Sequence, residues 1–134
     1  MNPMELLELA RTAMERAYAP YSGVKVGAAL LTKAGSTFTG CNIENAAFSP
    51  TNCAERTAFF KAVSEGEREF AAIAVVGGPG GVPQGPFPPC GVCRQVMQEF
   101  CGPEFQIYLE DGSGGFRTYT LPELLPLGFS AERM

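Results

Sequence analysis

The most constraining stretch of the sequence is Phe70-Ala71-Ala72-Ile73-Ala74-Val75-Val76, seven residues without a polar side chain. It is far short of the ~20 residues that cross a bilayer. It also lacks the polar alternation of a strand with one face in water. A strand buried on both faces fits it, and such a strand needs a covering layer on each side. The surrounding pattern supplies those layers. Asn2-Pro3 is an N-cap and first-turn pair, and Leu6, Leu9, Ala10, Ala13, Met14 and Ala17 recur at helical spacing, so a helix is predicted over 3–17. Strands are predicted at 24–31 and, after the Lys33–Ser36 turn, at 37–43. A second helix is expected over 53–64, capped by Thr51 or Asn52, with Ala58, Phe59, Ala62 and Val63 on one side.

Residues 77–89 contain ten Gly or Pro in thirteen positions and read as a surface excursion within one fold, too short to link domains. A helix over 91–101, with Val92, Val96 and Phe100 inward, precedes strands at 105–109 and 116–120 and a helical turn at 122–125. The order predicts an α/β class: a three-layer α/β/α sandwich on a mixed sheet of about five strands, with residues 1–134 forming a single domain.

Charge and residue usage narrow the chemistry. The net charge is −4 and the ten Lys and Arg are scattered, so no basic stripe is available for a nucleic acid polymer. The start of the chain lacks a signal-peptide pattern and no stretch suits a membrane span, so the expectation is a cytoplasmic protein. The sequence has no His. That excludes Ser-His and Cys-His nucleophile pairs and any imidazole metal ligand. Five Cys without a secretory pattern argue against a disulfide framework and leave metal binding, thiol redox chemistry or core filling.

Two motifs carry the chemistry. Cys53-Ala54-Glu55 and Pro89-Cys90-Gly91-Val92-Cys93 both fall at predicted helix starts, where unpaired N–H groups and the helix dipole favour thiolate. If the two starts face each other, three thiolates converge on one zinc and leave a fourth tetrahedral position open, the mark of a catalytic rather than a structural site. Glu55, two residues beyond its ligand, can aim a carboxylate at that position. Ligand-x-Glu followed by Pro-Cys-x-x-Cys is the pattern of zinc deaminases, with Glu as proton shuttle. Alone, Cys-x-x-Cys also suits a redox pair or half of a closed zinc site to which Cys41 or Cys101 adds a ligand.

The chain resembles the small homotetrameric cytidine deaminases along its whole length. The resemblance is carried by Tyr21-Ser22 with Val26-Gly27-Ala28-Ala29, by Gly40-Cys41-Asn42-Ile43-Glu44-Asn45-Ala46, by Thr51–Ala58, by Pro89–Val96, and by Leu124-Leu125-Pro126 with Phe129. It implies hydrolytic deamination of cytidine, and of 2'-deoxycytidine, in pyrimidine salvage. It implies one Zn2+ per subunit on Cys53, Cys90 and Cys93, with a zinc-activated water attacking C4 and Glu55 carrying the protons. Asn42 and Glu44 would hydrogen-bond the ribose hydroxyls, and Ala54 and Val24 would line the substrate. Arg56 would donate to a ligand sulfur. Phe129 would reach a neighbouring subunit's base pocket, in a homotetramer with shared active sites.

The chain departs from that pattern at Val24, where the family usually has Phe, at Phe48, where Tyr is usual, and in its longer Gly/Pro loop. A deaminase of a related nucleoside such as blasticidin S is the first rival reading. A non-catalytic structural zinc or thiol-redox protein is the second.

Overall fold

The computed structural model describes residues 1–134. One sheet of five strands has the spatial order β2-β1-β3-β4-β5. Its strands are β1 (Val24–Thr32), β2 (Thr37–Cys41), β3 (Phe70–Pro79), β4 (Gln106–Glu110) and β5 (Phe116–Thr120). Strand β3 is central, antiparallel to β1 and parallel to β4, so the sheet is mixed. The parallel β3–β4 pair needs a crossover, and helix α3 (Gly91–Phe100) provides it.

Alternate residues of β1 and β3 feed two separate cores, as the pleat dictates. Ala29, Ala72, Ala74 and Val76 pack with Leu6, Leu7, Ala10 and Met14 of helix α1 (Pro3–Met14). Ala28, Leu30, Ile73 and Val75 pack on the other face with Ala58, Phe59 and Ala62 of helix α2 (Ala54–Ser64) and Met97 of α3. The polar-free run is therefore covered on both sides, and the sandwich is α1, sheet, then α2 with α3. A short helix α4 (Leu121–Leu124) follows β5 and packs on the second core through Leu121.

Several element ends differ from the sequence expectation, each for a local reason. Helix α1 stops at Met14, where the Glu15, Arg16 and Ala17 N–H groups turn to the carbonyls three residues back, and Tyr18 then pairs with Ile43. Strand β3 runs three residues past Val76, since Gly77, Gly78 and Pro79 continue the ladder opposite Val26, Lys25 and Val24. Neither Thr51 nor Asn52 caps α2. The N-cap is Cys53, with no side-chain cap bond, while the Thr51 hydroxyl donates to the Asn45 and Ala47 carbonyls and Asn52 donates to the Thr57 hydroxyl. Val92 points outward at 57% exposure; the buried residues of α3 are Cys93 and Met97.

Helix α2 is seated on the sheet through Gly40 of β2. A Cβ there would lie 2.6 Å from both the Ala54 carbonyl oxygen and the Ala58 nitrogen. Only glycine permits that approach, and the approach sets where the first turn of α2, with Cys53 and Glu55, stands above the sheet.

Candidate active site

Helices α2 and α3 begin side by side at the ends of β1 and β3, and both have cysteine at the N-cap: Cys53 and Cys90. An N-cap side chain ordinarily accepts a hydrogen bond from the first turn. Neither thiol does so, which leaves both sulfurs free to point at each other. Their Sγ atoms are 3.6 Å apart, and the Sγ of Cys93, in the first turn of α3, completes a trio whose members all lie within 4.8 Å of one another. Three sulfurs on one tetrahedral zinc, with bonds near 2.3 Å, would stand about 3.8 Å apart. The donor set and its spacing fit zinc.

The surroundings favour thiolate. Cys53 is held down to about 5, first by a hydrogen bond from the Cys93 thiol and further by the Arg56 guanidinium, whose Nη2 donates to Cys53 Sγ at 3.3 Å. Cys93 is raised in turn, because it is the donor in that pair and is buried. Two helix N-termini add positive potential at the same point. Arg56 and those N-termini are the local means of offsetting three negative sulfurs around a dication.

Glu55 is only 4% exposed yet lines the cavity beside the sulfurs. Burial pushes its carboxyl up to about 7, with its own backbone N–H partly opposing and the nearby Cys53 charge adding to the rise. A carboxyl in that range changes protonation state readily near neutral pH, as a group that both accepts and returns a proton must.

The cavity has a volume of about 300 Å³ and is polar at its far end, a size suited to a small organic ligand. Asn42 Nδ2 donates to the Val24 carbonyl and its Oδ1 accepts from the Val26 N–H, both at 2.8 Å, so the side chain extends β1 like one more ladder residue. Each polar atom keeps one further hydrogen-bonding site. The Glu44 carboxylate accepts from the Tyr21 and Ser22 N–H groups and from the Ser22 hydroxyl; the hydroxyl above all holds its pKa below the usual value.

Val24, Asn42, Glu44, Cys53, Ala54, Glu55 and Cys90 all line this one cavity. Phe129 does not; it is 58% exposed, and its carbonyl accepts from Gln95 Nε2. Phe48 is 94% exposed beside Tyr21 over a neighbouring depression. The two other cysteines stand elsewhere, Cys41 in a cavity with Arg16 and Lys61, and Cys101 beside Gln98 and Pro122. No fourth sulfur closes the trio, so the site is neither a closed four-thiolate centre nor an isolated Cys-x-x-Cys pair. The sequence reading missed Ser22, whose role depends on where Glu44 lands, and Phe87, which the loop brings into the cavity lining instead of leaving it on a surface excursion.

Comparison with known proteins supplies the wider context. Residues 2–109 match the family model of the cytidine and deoxycytidylate deaminase zinc-binding region. The cytidine deaminase of Halalkalibacterium halodurans is 52% identical over 134 residues, covering 100% of this chain and 98% of that protein. The cytidine deaminase of Sporosarcina psychrophila is 51% identical, covering 98% of this chain and 94% of that protein. Among solved structures, the cytidine deaminase from Burkholderia pseudomallei superposes with a TM-score of 0.88 at 50% identity, covering 96% of this chain and 100% of that one.

Proposed function

The chain belongs to the cytidine and deoxycytidylate deaminase family, and on that premise we propose how its residues divide the work of converting cytidine, and 2'-deoxycytidine, to the uracil nucleoside and ammonia. The chain is an enzyme whose activity is the zinc-dependent deamination of cytidine, and Cys53, Cys90 and Cys93 would hold the Zn2+. A zinc ion bound there would supply Lewis acidity toward water.

The observation that carries the assignment of roles is a buried carboxyl beside three converging sulfurs in a nucleoside-sized cavity. Glu55 takes a proton from the attacking water and gives it to N3 of the pyrimidine, which makes C4 electrophilic. It then takes the second water proton to the exocyclic nitrogen, and ammonia leaves as the C4 carbonyl forms. Ala54, at the first position of α2, borders the reacting edge of the base, and Val24 the apolar side. Asn42 and Glu44 use their remaining acceptor and donor capacity on the ribose hydroxyls. Arg56 keeps Cys53 ionised and oriented.

Residues 1–134 act as one catalytic domain of a cytoplasmic homotetramer in pyrimidine salvage. The exposed apolar side chains of Phe48, Leu127 and Phe129 support subunit contacts, with Phe129 reaching a neighbour's base pocket. No helix is long and apolar enough to cross a membrane.

The test is direct. Purified protein is incubated with cytidine, deoxycytidine and blasticidin S, with and without a chelator, while the pyrimidine absorbance and ammonium are followed. Turnover of the two nucleosides, lost on chelation and restored by zinc, is the expected result; turnover of blasticidin S alone would assign a different substrate.

A further inference from the structure

Among the residues lining the cavity, Phe87 is the one aromatic. Val24 and Val26 share a face of β1, and the residue directly opposite Val26 across the ladder is Gly77 of β3. The pleat puts Gly77 on that same face. The absent side chain at Gly77 is what admits Phe87: a Cβ there would lie 2.9 Å from Phe87 Cγ and 3.0 Å from Val26 Cγ2. The phenyl ring therefore packs over Gly77 beside Val26, and it lines the ligand cavity together with Val26.

The segment that delivers the ring is stiff. Pro86, Pro88 and Pro89 flank Phe87, and each proline fixes its own φ and restricts the residue before it. The loop is fastened at both ends, by the Gly80 N–H to the Gly23 carbonyl at 2.7 Å and by Arg94 Nε to the Pro89 carbonyl at 2.7 Å. A half-buried aromatic held this firmly loses little freedom when a ligand docks on it.

Building on the nucleoside reading above, we propose that Phe87 is the aromatic wall on which the pyrimidine ring of the substrate packs, and that Gly77 is the position that sets this wall's depth. The Gly/Pro loop thereby belongs to the binding pocket: it defines the space available to the base between Phe87 and the sulfur-bearing helices. Phe87 touches no reacting atom, so its contribution is to ring binding and ring selectivity.

The test uses the zinc-loaded protein, with uridine binding followed by calorimetry alongside cytidine kinetics. Loss of a base-stacking ring typically weakens binding by roughly ten- to a hundredfold. Phe87→Ala should weaken uridine by that range, with the kinetic loss concentrated in KM rather than kcat and with zinc content unchanged. Phe87→Tyr should restore most of the affinity. Gly77→Ala, which keeps the ring but displaces it, should weaken uridine in the same direction and decides the matter if Phe87→Ala folds poorly. Uridine affinity within twofold of wild type in both Phe87→Ala and Gly77→Ala overturns the proposal. So does a Phe87→Ala effect confined to melting temperature, which would make the ring only a plug for the sheet. A wild-type protein that does not turn over cytidine removes the parent reading and this proposal with it; intact turnover with unchanged uridine affinity in the variants removes this proposal alone.

Discussion

At the sulfur end of the cavity, Cys53, Cys90, Cys93 and Glu55 all sit at an N-cap or in the first turn of a helix, and each is placed by one short motif. The other lining residues, Asn42, Glu44, Ser22, Val24 and Phe87, come from strand ends and loops, and most are positioned by hydrogen bonds or packing to segments distant in the chain. The first end gains its chemistry from geometry that a helix start supplies locally: unpaired N–H groups, a positive dipole, and side chains projecting to one point. The second group has geometry only after β1, β2 and β3 have paired. The two groups of lining residues are thus positioned by different levels of structure, and, on the proposed roles, substitutions in them should fail in different ways.

The largest expected effect is at the sulfur end. Glu55→Gln removes the proposed proton carrier while preserving shape, so kcat should fall by about 10²- to 10⁴-fold with zinc stoichiometry unchanged. Zinc loss in this variant would blur the distinction between ligand and proton carrier. Next, Arg56→Gln removes the donor to Cys53 Sγ. Zinc affinity, measured by competition with a chromogenic chelator, should weaken by roughly 10- to 100-fold, and KM should follow only through metal occupancy.

At the recognition end the effects are smaller and of another kind. Asn42→Ala leaves the Val26 N–H and Val24 carbonyl without their partner, at about 1–3 kcal/mol. The melting temperature should drop by roughly 3–10 °C and KM should rise, while zinc stays bound. An unchanged melting temperature would show that β1 does not need this side chain. The smallest effect is a shift in pH dependence. The Glu44 pKa is lowered chiefly by the Ser22 hydroxyl. Its grip on the Tyr21–Ser22 turn is therefore complete above the ordinary carboxylate range and is lost as pH falls through the lowered value. Ser22→Ala raises that value, so the acid-side rise in KM should begin at higher pH than in wild type, with no difference at neutral pH.

The same division explains how much could be read from the sequence. The run Phe70–Val76 announced a strand covered on both faces, and the layers follow from it. The thiol motifs were legible because spacing within a helix turn is a local property, although the cap of α2 proved to be Cys53 itself rather than Thr51 or Asn52. The tether of Glu44 by Ser22 was not legible, since it joins residues 22 positions apart. Phe87 was hidden for a similar reason: its place depends on the register that sets Gly77 opposite Val26, and a stretch so rich in Gly and Pro looks in isolation like a surface loop. Resemblance alone drew attention to Asn42 and Glu44, whose residue types would otherwise suit an ordinary polar turn.

The central claim is that three sulfurs from two helix starts hold one ion and leave a side open beside Glu55. X-ray absorption at the zinc edge of the purified protein tests it most directly. The predicted result is one zinc per chain with three sulfur scatterers at about 2.3 Å and one oxygen scatterer at about 2.0–2.2 Å. A shell of four sulfurs, or a protein that binds no zinc while Cys53, Cys90 and Cys93 are intact and reduced, would contradict it.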